Sequence, residues 1–117
     1  MNAALSLVPD PDAIRVAKVF LARIADHYAI SGAWLYGSRA RGDARMDSDV
    51  DLAVVIEGSR AEMRSFSGDM AEEAFDHLLE TGLLISPLAS SVQDWDAPEN
   101  FSNPFLLLNI QREGVAL

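Results

Sequence analysis

Trp34-Leu35-Tyr36-Gly37-Ser38-Arg39-Ala40-Arg41-Gly42, resumed at Ser48-Asp49-Val50-Asp51-Leu52-Ala53-Val54-Val55-Ile56, is the stretch on which the reading of this chain turns. Ala33 to Tyr36 reads as a short buried strand, and Gly37 ends it. Ser38 to about Asp43 reads as a short helical turn, because Ser-Arg-Ala-Arg has fair helix propensity and Gly42 is a natural stop. From Val50 to Ile56 the residues are apolar on both faces, which predicts a second strand inside a sheet rather than at its edge.

The residues between these strands carry chemistry. Gly37 lets the backbone approach a ligand closely, and a helix beginning at Ser38 offers amide hydrogens and a positive dipole end to a phosphate. The Ser38 hydroxyl adds a donor. Two residues apart in a strand, Asp49 and Asp51 project to one face, where their oxygens can share a hard divalent cation. Left alone, the two carboxylates repel. Magnesium suits them, since it takes a few carboxylate oxygens and completes its octahedron with water and substrate phosphates. Asp47 has the same parity but sits in the turn and reads as a solvated loop residue; Asp43 reads as a turn or cap.

Upstream, Asp10-Pro11-Asp12 announces a helix from Pro11 to about Tyr28, with a capping carboxylate, a proline at the first helical position and a second acid at the positive dipole end. Its apolar stripe is Ile14, Ala17, Leu21, Ile24 and Tyr28. Ser31-Gly32 breaks it. Downstream, Gly58-Ser59 closes the second strand, and Ser59 caps a helix from Arg60 to about Glu80. Its stripe is Met63, Phe66, Met70, Ala74, Phe75, Leu78 and Leu79; Gly68 weakens the middle and invites a kink, and His77 falls on the polar side. Leu83 to Leu88 is the third strand, with Pro87 placing its distal half at an edge, bulge or end. Ser90 to Ser102 reads as a loop with one turn around Gln93. Asn103-Pro104 then caps a last helix, Phe105 to about Glu113, stopped by Gly114. Phe105, Leu106, Leu108 and Asn109 cannot all face one core, so part of this helix is expected to be a partner surface. The expected fold is α/β: a single small domain over residues 1–117 with an α-β-α-β-α-β core, a small sheet and a C-terminal helix.

Half of the 117 residues are apolar, enough for one core and too few for two ordinary domains. The absence of cysteine excludes disulfides and thiolate metal sites. Met1 to Val8 lacks the basic start of a leader, and no apolar run approaches the roughly 18 residues of a spanning helix. A soluble, cytoplasmic protein without membrane contact is expected. The net charge of −9 argues against direct nucleic-acid binding, which depends on Lys and Arg, and favours a basic protein surface as partner. Any nucleotide must be held locally, against the sign of the global field. Oligomerisation is left open.

With ten residues between Ser38 and Asp49, the two halves of the stretch combine into a specific pattern. Gly37-Ser38-Arg39-Ala40-Arg41-Gly42 followed by Ser48-Asp49-Val50-Asp51-Leu52 resembles the signature of minimal nucleotidyltransferase (MNT) domains of the DNA polymerase beta-like superfamily. The resemblance implies that the short sheet is mixed, that Gly37 and Ser38 hold the triphosphate and that Asp49 and Asp51 are catalytic and bind one or two Mg2+ ions. Arg39 and Arg41 match basic positions that could steady phosphate oxygens; the alternative for both is surface salt bridging with Asp43 or Asp47. The implied reaction transfers a nucleoside monophosphate, AMP from ATP, to a hydroxyl. Such domains are often antitoxins of helical HEPN ribonucleases, silenced by AMPylation of a tyrosine or by direct binding, so a HEPN-type toxin is the expected partner. One departure stands out: the superfamily usually supplies a third carboxylate from the later strand, and Leu83 to Leu88 contains none. Glu80, Asp94 and Asp96 lie outside it. A catalytically impaired nucleotide-binding module is therefore the alternative.

Overall fold

The computed structural model describes residues 7–117, so the reading of the first residues as lacking a leader falls largely outside the described residues. Helix α1, Pro11–Ile24, begins where Asp10 accepts hydrogen bonds from the amides of Asp12 and Ala13. It is shorter than the expected span to Tyr28. Tyr28 owes its partial burial to an edge-on contact with Phe66, ring centroids 5.0 Å apart, rather than to a further helical turn. The buried face is also rotated by about one position, to Ala13, Val16, Ala17, Phe20 and Ile24.

Strand β1, Ile30–Tyr36, starts earlier than expected and includes Ser31-Gly32, with a register irregularity there. Helix α2, Ser38–Arg41, and strand β2, Val50–Ile56, fall where the sequence places them. Helix α3, Arg60–Thr81, opens with a capping box in which Ser59 and Glu62 satisfy each other's amides. Gly68 introduces no break. Its buried residues are Met63, Met70, Ala74 and His77, whereas Phe75 and Leu79 are 59% and 77% exposed. His77 thus corrects its expected polar placement: it is fully buried against α1, its Nε2 lying 3.3 Å from the Val16 carbonyl oxygen.

Strand β3, Ile85–Ser91, is shifted toward the C-terminus of the expected segment. The supposed loop that follows holds helix α4, Val92–Asp96, and a 3-10 turn, Pro98–Asn100. Helix α5, Pro104–Glu113, is capped by Asn103, and the unanticipated strand β4, Val115–Ala116, pairs with β1. Two residues are too few for a periodic signal.

The sheet runs β3-β2-β1-β4, with β2 antiparallel to β1 and parallel to β3. This is the expected mixed sheet in a small α/β domain. Val50, Leu52, Val54 and Ile56 pack with α1 and α3, while Ala53 packs on the other face with Leu107 and Ile110 of α5. Both faces of β2 are therefore covered, which explains its unbroken apolar run. Trp34 and Trp95 stack on the α5 side with centroids 4.5 Å apart. Phe105 and Leu108 of α5 remain 75% and 47% exposed.

Candidate active site

β2 alternates its side chains, so Asp51 falls on the face that carries Ala53, at the end where the covering helices leave it half-exposed. Asp49 lies one residue before the strand begins and is exposed. The two remain electrostatically close. Burial raises the Asp51 carboxyl above its ordinary 3.8, the Asp49 charge adds to the rise, and Arg41 opposes it.

Gly37 is brought against this carboxylate. It adopts φ +75°, which favours glycine, and a Cβ there would meet Asp51 Oδ2. Gly37 also caps α2, whose Ala40 and Arg41 amides bond back to the Gly37 carbonyl. The Ser38 and Arg39 amides take no acceptor among the described residues and remain as donors in the turn that follows Gly37. Gly42, at φ +84°, ends the turn in the left-handed conformation and lies against the Val8 backbone.

The two arginines part company. Arg39, expected at a phosphate, is 7% exposed and committed elsewhere. Its Nη1 pairs with Asp10 at 2.6 Å, and its Nε and Nη2 donate to the Ser48 carbonyl, Nη2 also to that of Met46. It ties the α1 cap to the loop that delivers Asp49. Neither Asp43 nor Asp47 is its partner. Arg41 is half-exposed, bridges Asp43 at 3.3 Å, and is the arginine whose field reaches Asp51.

Two residues gain significance from register alone. Tyr36 pairs with Asp51 across the sheet, and burial together with the Asp51 charge pushes its phenol up to about 12, keeping it a neutral donor. Its alternation with Leu35 and its place before Gly37 are the sequence signals that would have found it. Ser86 of β3 is the residue in register with Asp51 on the other side. The acids near β3 are occupied: Glu80 bonds Arg23, and buried Asp94 is gripped by Arg60 through Oδ1 at 2.7 Å and Oδ2 at 3.2 Å. Asp96 is exposed at the end of α4. No cluster of three metal-ligating side chains occurs among the described residues.

Residues 21–87 match the family described as polymerase beta nucleotidyltransferase, a span that contains Gly37, Ser38, Asp49 and Asp51. The chain belongs to that family. No match is found among curated proteins. The matched span runs from the middle of α1 into β3, so nucleotidyl transfer is the chemistry of this fold, while α4 and α5 lie beyond it. Among the described residues, no helix is long and apolar enough to cross a membrane.

Proposed function

We propose that this chain is a cytoplasmic, Mg2+-dependent MNT-type nucleotidyltransferase that moves AMP from ATP to a hydroxyl of a protein partner, acting as antitoxin to a HEPN-type ribonuclease. One observation carries the reading: the Gly37 turn lies directly against the Asp51 carboxylate. A triphosphate bound at the Ser38 and Arg39 amides would therefore rest against Asp49 and Asp51. Oxygen-only donors in a pair suit Mg2+, which completes its shell with water and phosphate oxygens. The ion would offset the repulsion between the carboxylates and withdraw charge from the phosphates.

The residues then divide the work. The amides of Ser38 and Arg39 and the Ser38 hydroxyl hold phosphate oxygens, with the half-exposed Arg41 guanidinium as a cation beside them. The acceptor hydroxyl oxygen forms a bond to the α-phosphorus as the bond from that phosphorus to the bridging oxygen breaks. Pyrophosphate leaves with the electron pair, and the hydroxyl proton passes to water. The Arg39 guanidinium acts on none of these atoms; it positions the Asp49 loop.

With the protein and its cognate partner, ATP labelled at the α-phosphate is expected to leave label on the partner, and γ-labelled ATP is not. Asp49→Ala with Asp51→Ala is expected to abolish labelling; label retained by that variant sinks the metal assignment. A neighbouring reading frame for a small helical protein with an Arg-x4-6-His motif would supply the partner.

Ser86 supports a second reading, a nucleotide-binding module that neutralises its partner without turnover. No acid stands beside Asp51 on β3 to help activate a hydroxyl. Under that reading ATP and Mg2+ bind, yet no pyrophosphate appears even with the partner present.

A further inference from the structure

A cavity of about 470 Å³ lies beside the outer strand β3, between the start of α3 and the segment from α4 to Ser102. Its size falls in the range of small-ligand and side-chain pockets. Met63, Leu88 and Phe101 give it an apolar lining, and Arg60 and Arg64 stand at its wall. The wall is braced. Arg60 grips Asp94, whose side chain is 5% exposed, and donates to the Asn100 carbonyl at 2.8 Å. Ser67 Oγ accepts the Ala89 amide at 3.1 Å, so that edge group of the strand is already satisfied.

The charge here runs against the rest of the molecule. Arg60 and Arg64 are one helical turn apart, where like charges repel, and both sit at the positive end of the α3 dipole. Arg64 bonds no carboxylate among the described residues, and neither does Arg60 Nη1. With Asp94 in the same lining and paired to Arg60, the excess positive charge is that of Arg64, set beside an apolar floor in a chain of net charge −9.

Register fixes the β3 wall of the cavity relative to the carboxylates, while Arg60, Met63 and Arg64 come from α3 at the opposite face of the sheet. Ser86 pairs with Asp51, and Leu88 follows two residues on along the same face. Strand rise and spacing put Leu88 about 8 Å from Asp51. The cavity lies on the β3 side, whereas Gly37 and Ser38 follow β1 on the other side of β2. In an in-line displacement the attacking oxygen approaches opposite the leaving pyrophosphate. With the triphosphate tail at Gly37 and Ser38, the acceptor arrives from β3.

We propose that this cavity seats the polypeptide acceptor, taking an apolar side chain on Met63, Leu88 and Phe101 and a neighbouring Asp or Glu carboxylate at Arg60 and Arg64. The proposal rests on the nucleotidyl-transfer reading above. The acidic exterior draws in a basic partner, and the arginine pair sets the register that selects which hydroxyl reaches the site.

The test is an NMR titration of the whole chain with acetylated Gly-Leu-Xaa-Tyr-Gly-Gly peptides in which Xaa is Glu, Gln or Lys. The Glu peptide is expected to shift the Ser67, Ala89 and Phe101 amides and to bind about tenfold more tightly than the others. In exposed Arg64→Glu, whose amide spectrum reports an intact fold, the order should reverse in favour of Lys. No cavity shift at millimolar peptide, equal binding of all three, or an unchanged order in Arg64→Glu overturns the proposal. So does a shift of the cavity amides with ATP and Mg2+ alone, which would make it a nucleotide subsite. The Gly37 and Ser38 amides report the other half independently. If they ignore ATP and Mg2+ while the Glu peptide fills the cavity, the transfer reading fails and the peptide pocket stands; the converse removes the pocket alone.

Discussion

Asp10 and Asp51 both lie beside the Gly37–Arg41 turn, and the chain treats them oppositely. Burial alone would raise the Asp10 carboxyl, but the Arg39 hydrogen bond and the two amides of the α1 cap hold it below 3.8. Asp51, half-buried with another carboxylate close by, is raised above the same value, and only Arg41 counters it. One carboxylate is satisfied by the fold. The other is left with its burial and the neighbouring Asp49 charge largely uncompensated, an arrangement that an added cation would relieve.

The largest expected effect breaks the satisfied side. Asp10→Ala removes a helix cap and leaves Arg39 charged, 8% exposed and without its carboxylate. A loss of about 3 kcal/mol in urea unfolding is expected, since breaking a buried pair from one side strands the other charge. The deficit should shrink in acid, because a lowered carboxyl contributes above pH 3.8 and loses that contribution as pH falls through its folded value. A cost under about 0.5 kcal/mol, the range of an exposed pair, would show that Arg39 does not depend on Asp10.

Gly37→Ala comes next, at about 1–2 kcal/mol, from a left-handed backbone and a clash with Asp51. Combined with Asp51→Ala it should cost measurably less than the sum of the two single changes, by a double-mutant cycle. Strict additivity would separate the turn from the carboxylate.

On the unsatisfied side the sign reverses. Asp51→Asn is expected to raise the urea midpoint at pH 7 while abolishing transfer. A raised carboxyl penalises the fold above its folded value and not below 3.8, so variant and parent should converge as pH falls toward 3.8. A lower midpoint at pH 7 would mean that Asp51 is already neutralised within the fold.

The smallest effect sharpens the contrast with a buried ring away from the Gly37–Arg41 turn. His77 is fully buried, and its Nδ1 has no hydrogen-bond partner. Its Nε2 donates to a carbonyl that α1 already uses. His77→Leu should therefore change unfolding free energy by less than about 1 kcal/mol, because an unpartnered ring nitrogen disappears together with a redundant bond to a carbonyl. A loss of 3 kcal/mol or more would assign the ring a packing role against Phe20, whose centroid is 5.9 Å away.

How far the chain could be read without coordinates follows from the range of the forces involved. Helix caps are local, so Asp10, Ser59 and Asn103 were legible, as was the strand that Val50 to Ile56 forms. Faces were less so. Helical spacing left α1 one position uncertain, and it put Phe75 and Leu79 inside when α1 covers the adjoining His77 face instead. The polar character of Ser90 to Ser102 hid α4, because its stability comes from the Ser91 cap and from Arg60 reaching back to Asp94, thirty-four residues apart.

The amino-acid sequence by itself determined the Gly37-Ser38 turn, the Asp49-Val50-Asp51 pair and the mixed α/β order, since these depend on dihedral freedom, strand parity and residues near one another in the chain. Tertiary structure decided which charges are spoken for. Arg39 turned inward to Asp10, Glu80 went to Arg23, Asp94 went to Arg60, and Ser86 took the place beside Asp51. Partners that far apart meet only when the sheet and helices pack, because a salt bridge needs a few ångströms in space and asks nothing of distance along the chain.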